Sequence, residues 1–240
     1  MELNNKSLFK EKCFVNGLWI DGQSGNTIEV NNPATMEIIG KVPNFTPDET
    51  KSVIEHADKA FHSWKNTTAK ERSIILKKWS DLIVDNVDDL AKIMTIEQGK
   101  PLTEAKGEIL MGASYIEFYA EEAKRVYGDI IPDPRPGKRI VIIKQPVGVV
   151  GAITPWNFPN SMITRKCAAA LAVGCTTVVK PASQTPFSAL AIAELAKIAG
   201  FPDGVFNIIT GSAKEIGMEL TKNTKIKKIS FTGSTEVGKI

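Results

Sequence analysis

Hydrophobic and polar positions follow different rhythms in different parts of this chain. Over the first 45 residues the apolar runs are short and end in turn residues. FVNGLWIDG carries an Asn-Gly turn signal between strand-like halves, and TIEVNNP and EIIGKVP read as short strands. A helical rhythm follows. Thr46, Pro47, Asp48 and Glu49 have the order of an N-cap, a first-turn proline and two acids. The pattern predicts a helix to about Trp64 and another from Ala69 towards Asn86. A longer helix is predicted over residues 102–127, where Leu102, Ala105, Ile109, Ala113, Ile116, Ala120 and Ala123 step by three and four. Lys124 and Arg125 suit its last turn and Gly128 the position after it. Pro132, Pro134 and Pro136 then bar a helix, RIVIIKQP reads as a strand, and residues 128–146 are expected to form an extended arm or hairpin.

From residue 147 onward, strands and helices alternate. Strand-like runs at 147–153, 176–179, 205–209 and 226–230 enclose helical stretches at 161–173, 186–199 and 213–221. The stretch 186–199 is apolar nearly all round, as befits a helix pressed on a sheet. Strand, helix, strand with short connections predicts an α/β fold with a parallel sheet and right-handed crossovers.

Open parallel sheets bind ligands outside the carboxyl ends of their strands. All four runs end there in polar or turn-forming clusters: TPWNFP at 154–159, KPASQTP at 180–186, TGS at 210–212 and FTGS at 231–234. That rim is the candidate site. Both Thr-Gly-Ser clusters stand where a strand is expected to turn into a helix, a place suited to an anion; for Ser212, plain N-capping is the favoured reading. Residues 233–239, GSTEVGK, fit most of a phosphate-binding P-loop, but Ile240 stands where that motif needs a hydroxyl, and Glu236 puts a carboxylate inside the cradle. No GxGxxG run is present, so a dinucleotide would bind by another geometry. Arg165 and Lys166 near the start of a predicted helix oppose its dipole, which suggests that one of them faces the rim to meet an anion.

Composition narrows the classes of function. The chain has 240 residues, 42% hydrophobic and 24% charged, with a net charge of +3. That is ordinary globular composition, and the charge is too small to argue for nucleic acid. The longest apolar stretch, CAAALAVGC, is too short to span a bilayer, and MELNNKSLFKEK lacks the apolar core of a signal peptide. Three cysteines without a CxxC spacing argue against a disulfide framework or a zinc site, so no metal and a reducing cytoplasm are expected.

Taken together, TPWNFP, KPASQTP and FTGSTEVGK, in this order and with EQGKPLTEAKGEI, YAEEAKRVYGD and ITRKCAAALAVGC around them, resemble the aldehyde dehydrogenase superfamily, above all bacterial succinate-semialdehyde dehydrogenases. The resemblance covers essentially the whole chain. It implies a Rossmann-like parallel sheet with helices on both faces, a β-rich N-terminal segment and an oligomerisation arm. Residues 1–127 would be the first strands and helices of the cofactor-binding domain, 128–146 the arm, and 147–240 the parallel core.

The same resemblance implies site roles. Trp156 and Asn157 match a pair lining the cofactor, and Asn157 also matches the amide that donates to the developing oxyanion. Lys180, Pro181, Ala182 and Ser183 match the strip at the adenine-side ribose, and Gly233 and Ser234 the turn beside the pyrophosphate. A Glu at the position of Ser183 would repel a 2′-phosphate; neutral Ser183 beside Lys180 points to NADP, with NAD as the alternative. Arg165 matches the arginine that holds the substrate's distal carboxylate, and Lys166 is left as structural. The partners implied are a small aldehyde and further copies of the chain in a dimer or tetramer, with no nucleic acid and no membrane.

The family's nucleophilic Cys and general-base Glu lie beyond the TGSTEVGK segment. Cys13 stands upstream of every rim motif, Cys167 and Cys175 flank an apolar stretch, and His56 and His62 lie away from the rim; none replaces them. Lys222, Lys225, Lys227 and Lys228 read as a solvated face. The expectation is therefore the amino-terminal, cofactor-binding portion of an NADP-dependent semialdehyde dehydrogenase, inactive alone. A non-catalytic dinucleotide-binding or assembly fragment is the alternative.

Overall fold

Reciprocal caps start the first two helices. In the computed structural model, which describes residues 2–239, Thr46 accepts from the Glu49 N–H while the Glu49 carboxylate accepts from the Thr46 N–H. Thr68 and Glu71 repeat the arrangement. These capping boxes satisfy otherwise orphaned first-turn donors and place α1 at Pro47–Trp64 and α2 at Ala69–Asp85. Ile240, the residue after the P-loop-like run, lies outside the described residues.

A third helix, α3 at Val87–Gln98, follows at once, although the apolar rhythm had not singled it out. Gly99, at φ 85°, closes it in the left-handed region. Helix α4 spans Leu102–Glu122, shorter than the 102–127 expected, and a 3-10 turn at Ala123–Arg125 takes over. Ala123 is the last buried position; residues 124–128 are exposed, so nothing packs against a further turn. Gly128 therefore does not cap the helix but leads into a hairpin of β5, Asp129–Pro132, and β6, Arg139–Ile142.

The sheet is mixed. Strands β7 (Val149–Ile153), β8 (Thr176–Lys180), β9 (Phe206–Ile208) and β10 (Ile226–Phe231) are parallel, as the pattern required. They alternate with α5 (Ser161–Ala172), α6 (Pro186–Ala199) and α7 (Ala213–Lys222). The N-terminal hairpin, β1 (Cys13–Val15) and β2 (Leu18–Ile20), extends this sheet antiparallel to β9, giving the order β10-β7-β8-β9-β1-β2. Its Asn16-Gly17 turn has positive φ at both residues, 49° and 77°, as a tight two-residue hairpin demands. Strands β3 (Thr27–Asn31) and β4 (Ile38–Pro43) pair separately.

Period-two alternation splits each central strand between two cores. Phe14, Ala152, Val179 and Ile208 face the core under α2 to α6. Cys13, Val15, Val149, Val178 and Ile209 face a second core under α1 and α7. Helices thus cover both faces. Among the described residues no helix is long and apolar enough to cross a membrane.

Candidate functional site

The strand order runs outward in opposite senses on the two sides of β7 and β8, and the sequence-successive strands β9 and β10 lie at opposite ends of the parallel set. In doubly wound sheets the crevice at such a reversal, here between β7 and β10, is where ligands bind. The segments after β7 and β10 border it, and the loop after β8 adjoins them.

After β7, Trp156 stands 55% exposed and Asn157 is exposed. The Asn157 side chain enters no hydrogen bond among the described residues, but its carbonyl accepts from Lys100 Nζ at 3.0 Å. At the end of β8, Lys180 is only 3% exposed, and burial pulls its ammonium down to about 8. It donates to Ser183 Oγ at 3.3 Å, and Ser183 donates on to the Gly211 carbonyl at 3.2 Å, linking the loops after β8 and β9. Pro181 is buried, and Ala182 and Ser183 are half-buried. After β10, Gly233 and Ser234 are exposed. A Cβ on Gly233 would stand 2.4 Å from the Phe231 ring, so a side chain there would have to displace that half-exposed ring.

The two Thr-Gly-Ser clusters part company here. Ser212 caps α7 by accepting from the Glu215 N–H at 3.3 Å. The segment after Ser234 forms a 3-10 turn, Val237–Lys239, which reaches the last described residue.

The neighbouring pair of cations divides. Lys166 reaches the end of β10, donating to Thr232 Oγ1 at 2.6 Å and Ser230 Oγ at 3.3 Å, and burial lowers its pKa. Arg165 is exposed, with its guanidinium over the Tyr115 ring of α4 and Nη2 against Met162 Sδ. It forms no ion pair among the described residues. The three thiols are buried, and burial pushes those of Cys13 and Cys167 up to about 12. His56 and His62 lie on α1. Lys225 pairs with Glu55 and Asp58, while Lys222, Lys227 and Lys228 are exposed.

The sequence reading missed three residues next to the rim. Glu97 on α3 accepts from the Phe187 and Ser188 N–H groups at 2.7 and 2.8 Å, closing the N-terminus of α6. Glu108 on α4 accepts from the Asn160 and Ser161 N–H groups at 3.0 and 3.1 Å, closing that of α5. Lys100 bonds Glu108 from the junction of α3 and α4. A signal existed: Glu97 continues the buried stripe Leu90, Ile93, Met94, and Glu108 sits within Ala105, Ile109, Gly112. An acid inside an apolar stripe requires a partner. Glu97 and Glu108 thus close the N-termini of α6 and α5, and Ser212 caps that of α7.

The aldehyde dehydrogenase family matches residues 19–240. This chain belongs to the aldehyde dehydrogenase family. It is 60% identical over 239 residues to the glutarate-semialdehyde dehydrogenase of Pseudomonas aeruginosa, covering 100% of this chain and 50% of that one. It is 56% identical to the NADP(+) succinate-semialdehyde dehydrogenase GabD of Escherichia coli, with the same coverage. A crystal structure of an aldehyde dehydrogenase from Brucella melitensis biovar abortus 2308 superimposes with a TM-score of 0.99 at 58% identity, over all of this chain and 50% of that one. The chain spans about half the length of the curated relatives it matches. Within the aldehyde dehydrogenase fold, the reversal crevice and its three bordering segments are thus present in this half.

Proposed function

We propose that these residues form the dinucleotide-binding half of an NADP-dependent dehydrogenase that oxidises succinic semialdehyde, or a similar carboxylated aldehyde, to the acid. One observation carries the reading: the segments bearing Trp156 and Asn157, Lys180 and Ser183, and Gly233 and Ser234 meet along the carboxyl edge of one sheet at its reversal of strand order. The residues fit a dinucleotide. The buried Lys180 ammonium has three donors and one side-chain partner among the described residues, leaving donors for a ribose hydroxyl or a phosphate.

In this reading Trp156 lines the cofactor, Lys180, Pro181, Ala182 and Ser183 hold its adenine-side ribose, and Gly233 and Ser234 flank its pyrophosphate. Bound there, the nicotinamide supplies a hydride acceptor. Asn157 donates its amide to the oxygen that gains negative charge when the aldehyde is attacked. Arg165, stacked on Tyr115 and free of an acid partner among the described residues, binds the distal carboxylate. The nucleophilic thiol and carboxylate base belong to the other half of the catalytic unit, since the cysteines here are buried. A cytoplasmic homo-dimer or tetramer joined through residues 128–146 belongs to the same proposal, as does the division at residues 127 and 146.

Titration calorimetry of NADP and NAD at fixed ionic strength tests it. NADP is expected to bind more tightly, and Ser183→Glu to reverse the order by setting a carboxylate against the 2′-phosphate. NADP affinity is expected to decline above about pH 8 as Lys180 loses its proton. Equal or tighter binding of NAD would overturn the NADP assignment, and binding of neither would overturn the cofactor site.

A further inference from the structure

We propose that Lys100 and Glu108 are positioning residues for Asn157: together they pin the main chain of residues 157–161, and so aim an amide that has nothing of its own to hold it. The inference rests on the oxyanion role proposed above.

The side-chain amide of Asn157 is exposed and unbonded among the described residues, on a loop leaving β7. Loops of this kind are ordinarily mobile. A donor that stabilises a developing oxyanion helps only if its direction is set beforehand. Here the setting comes through the main chain. Lys100 Nζ donates to the Asn157 carbonyl at 3.0 Å and stands 4.0 Å from the Phe158 ring centre. The same ammonium pairs with Glu108 Oε2. Glu108 Oε1 accepts the N–H groups of Asn160 and Ser161 at 3.0 and 3.1 Å.

One ion pair, with side chains 10% and 1% exposed, therefore grips the loop at Asn157, Phe158, Asn160 and Ser161. In so enclosed a pair, each charge holds the other in place: removing either leaves its partner buried and uncompensated. Both residues come from the α3–α4 region, outside the parallel core that carries the loop. Lys100 is presented by the left-handed turn at Gly99. An N-cap on α5 alone would need only the Glu108 oxygen at the helix start. The added reach of Lys100 back to Asn157 is what ties the cap to the amide.

The test is a double-mutant cycle in the assembled catalytic unit, with both halves present. Asn157→Ala is expected to lower kcat for semialdehyde oxidation by about 10²-fold or more. Lys100→Met is expected to lower kcat by about 10- to 100-fold, with KM for the aldehyde changing by less than about 3-fold. On the Asn157→Ala background, Lys100→Met is expected to cost less than about 3-fold, because it acts through a group already removed. Lys100→Arg, which keeps a charged donor, is expected to recover most of the loss. Amide exchange in the 240-residue chain supplies a readout without turnover: Glu108→Ala, which removes the acceptor, is expected to speed exchange at Asn160 and Ser161 while β8 stays protected. If thermal unfolding shows that Lys100→Met does not fold, the cycle is run with Lys100→Gln. Additive losses, or unchanged exchange, overturn the positioning role while leaving the oxyanion role standing. No loss from Asn157→Ala overturns both.

Discussion

Glu97 shows what one residue does that its neighbours in sequence do not announce. It is 2% exposed, and burial pushes its carboxyl from the usual 4.5 up to about 8. Folding therefore takes up a proton between those values. The stability this group contributes is fully present below pH 4.5, falls as pH rises, and is lost above about 8. Urea unfolding between pH 5 and 8 is expected to show a decline approaching about 1.4 kcal/mol per pH unit from this one proton. Glu97→Gln should flatten it, because an amide oxygen still accepts from α6 and carries no proton to lose. An equal slope in both proteins would contradict the assignment. The rim residues were legible at this scale because they are unusual types at strand ends. Glu97, Lys100 and Glu108 were not, since their partners lie 90, 57 and 52 positions away.

At the scale of elements, α6 has the bounds its apolar run predicted, Pro186–Ala199, because a helix buried on most sides needs no partner to be recognised. Helix α3 escaped because two acids in its first turn and Glu97 near its end interrupt the apolar rhythm. The contact between α4 and α5 was equally invisible, yet it depends on one residue. A Cβ on Gly112 would stand 2.3 Å from Asn160 Oδ1 and 3.1 Å from Thr164 Oγ1. Asn160 and Thr164 are both fully buried and have no room to withdraw. Gly112→Ala gains ~1 kcal/mol of helix preference. The overlap, towards the upper end of ~1–3 kcal/mol for overpacking, outweighs it. A net loss of about 1–2 kcal/mol is expected in urea unfolding; a more stable variant would show that the helices can part freely.

For the whole molecule, the β5–β6 hairpin is the outlier. Ile130, Val141 and Ile143 are 69%, 65% and 69% exposed. A two-stranded ribbon is marginal alone, and an uncovered apolar edge invites pairing. Light scattering is expected to give a dimer or tetramer, and Ile130→Lys with Val141→Lys to shift it to a smaller species. A monomeric parent chain would overturn the proposed arm.

What the sequence by itself determined is local: where the backbone changes from period two to period 3.6, where caps and turns fall, and which polar types stand after each strand. Neighbouring residues set these through sterics and hydrogen bonds a few positions long. Only the tertiary structure decided that the first hairpin completes the sheet beside β9, that β7 lies between β8 and β10, and that Glu97 and Glu108 close two helix N-termini. Such pairings join residues as far apart as Cys13 and Thr210, 197 positions away. They follow from which apolar faces can be buried together while every buried charge finds a partner, a condition no local window contains.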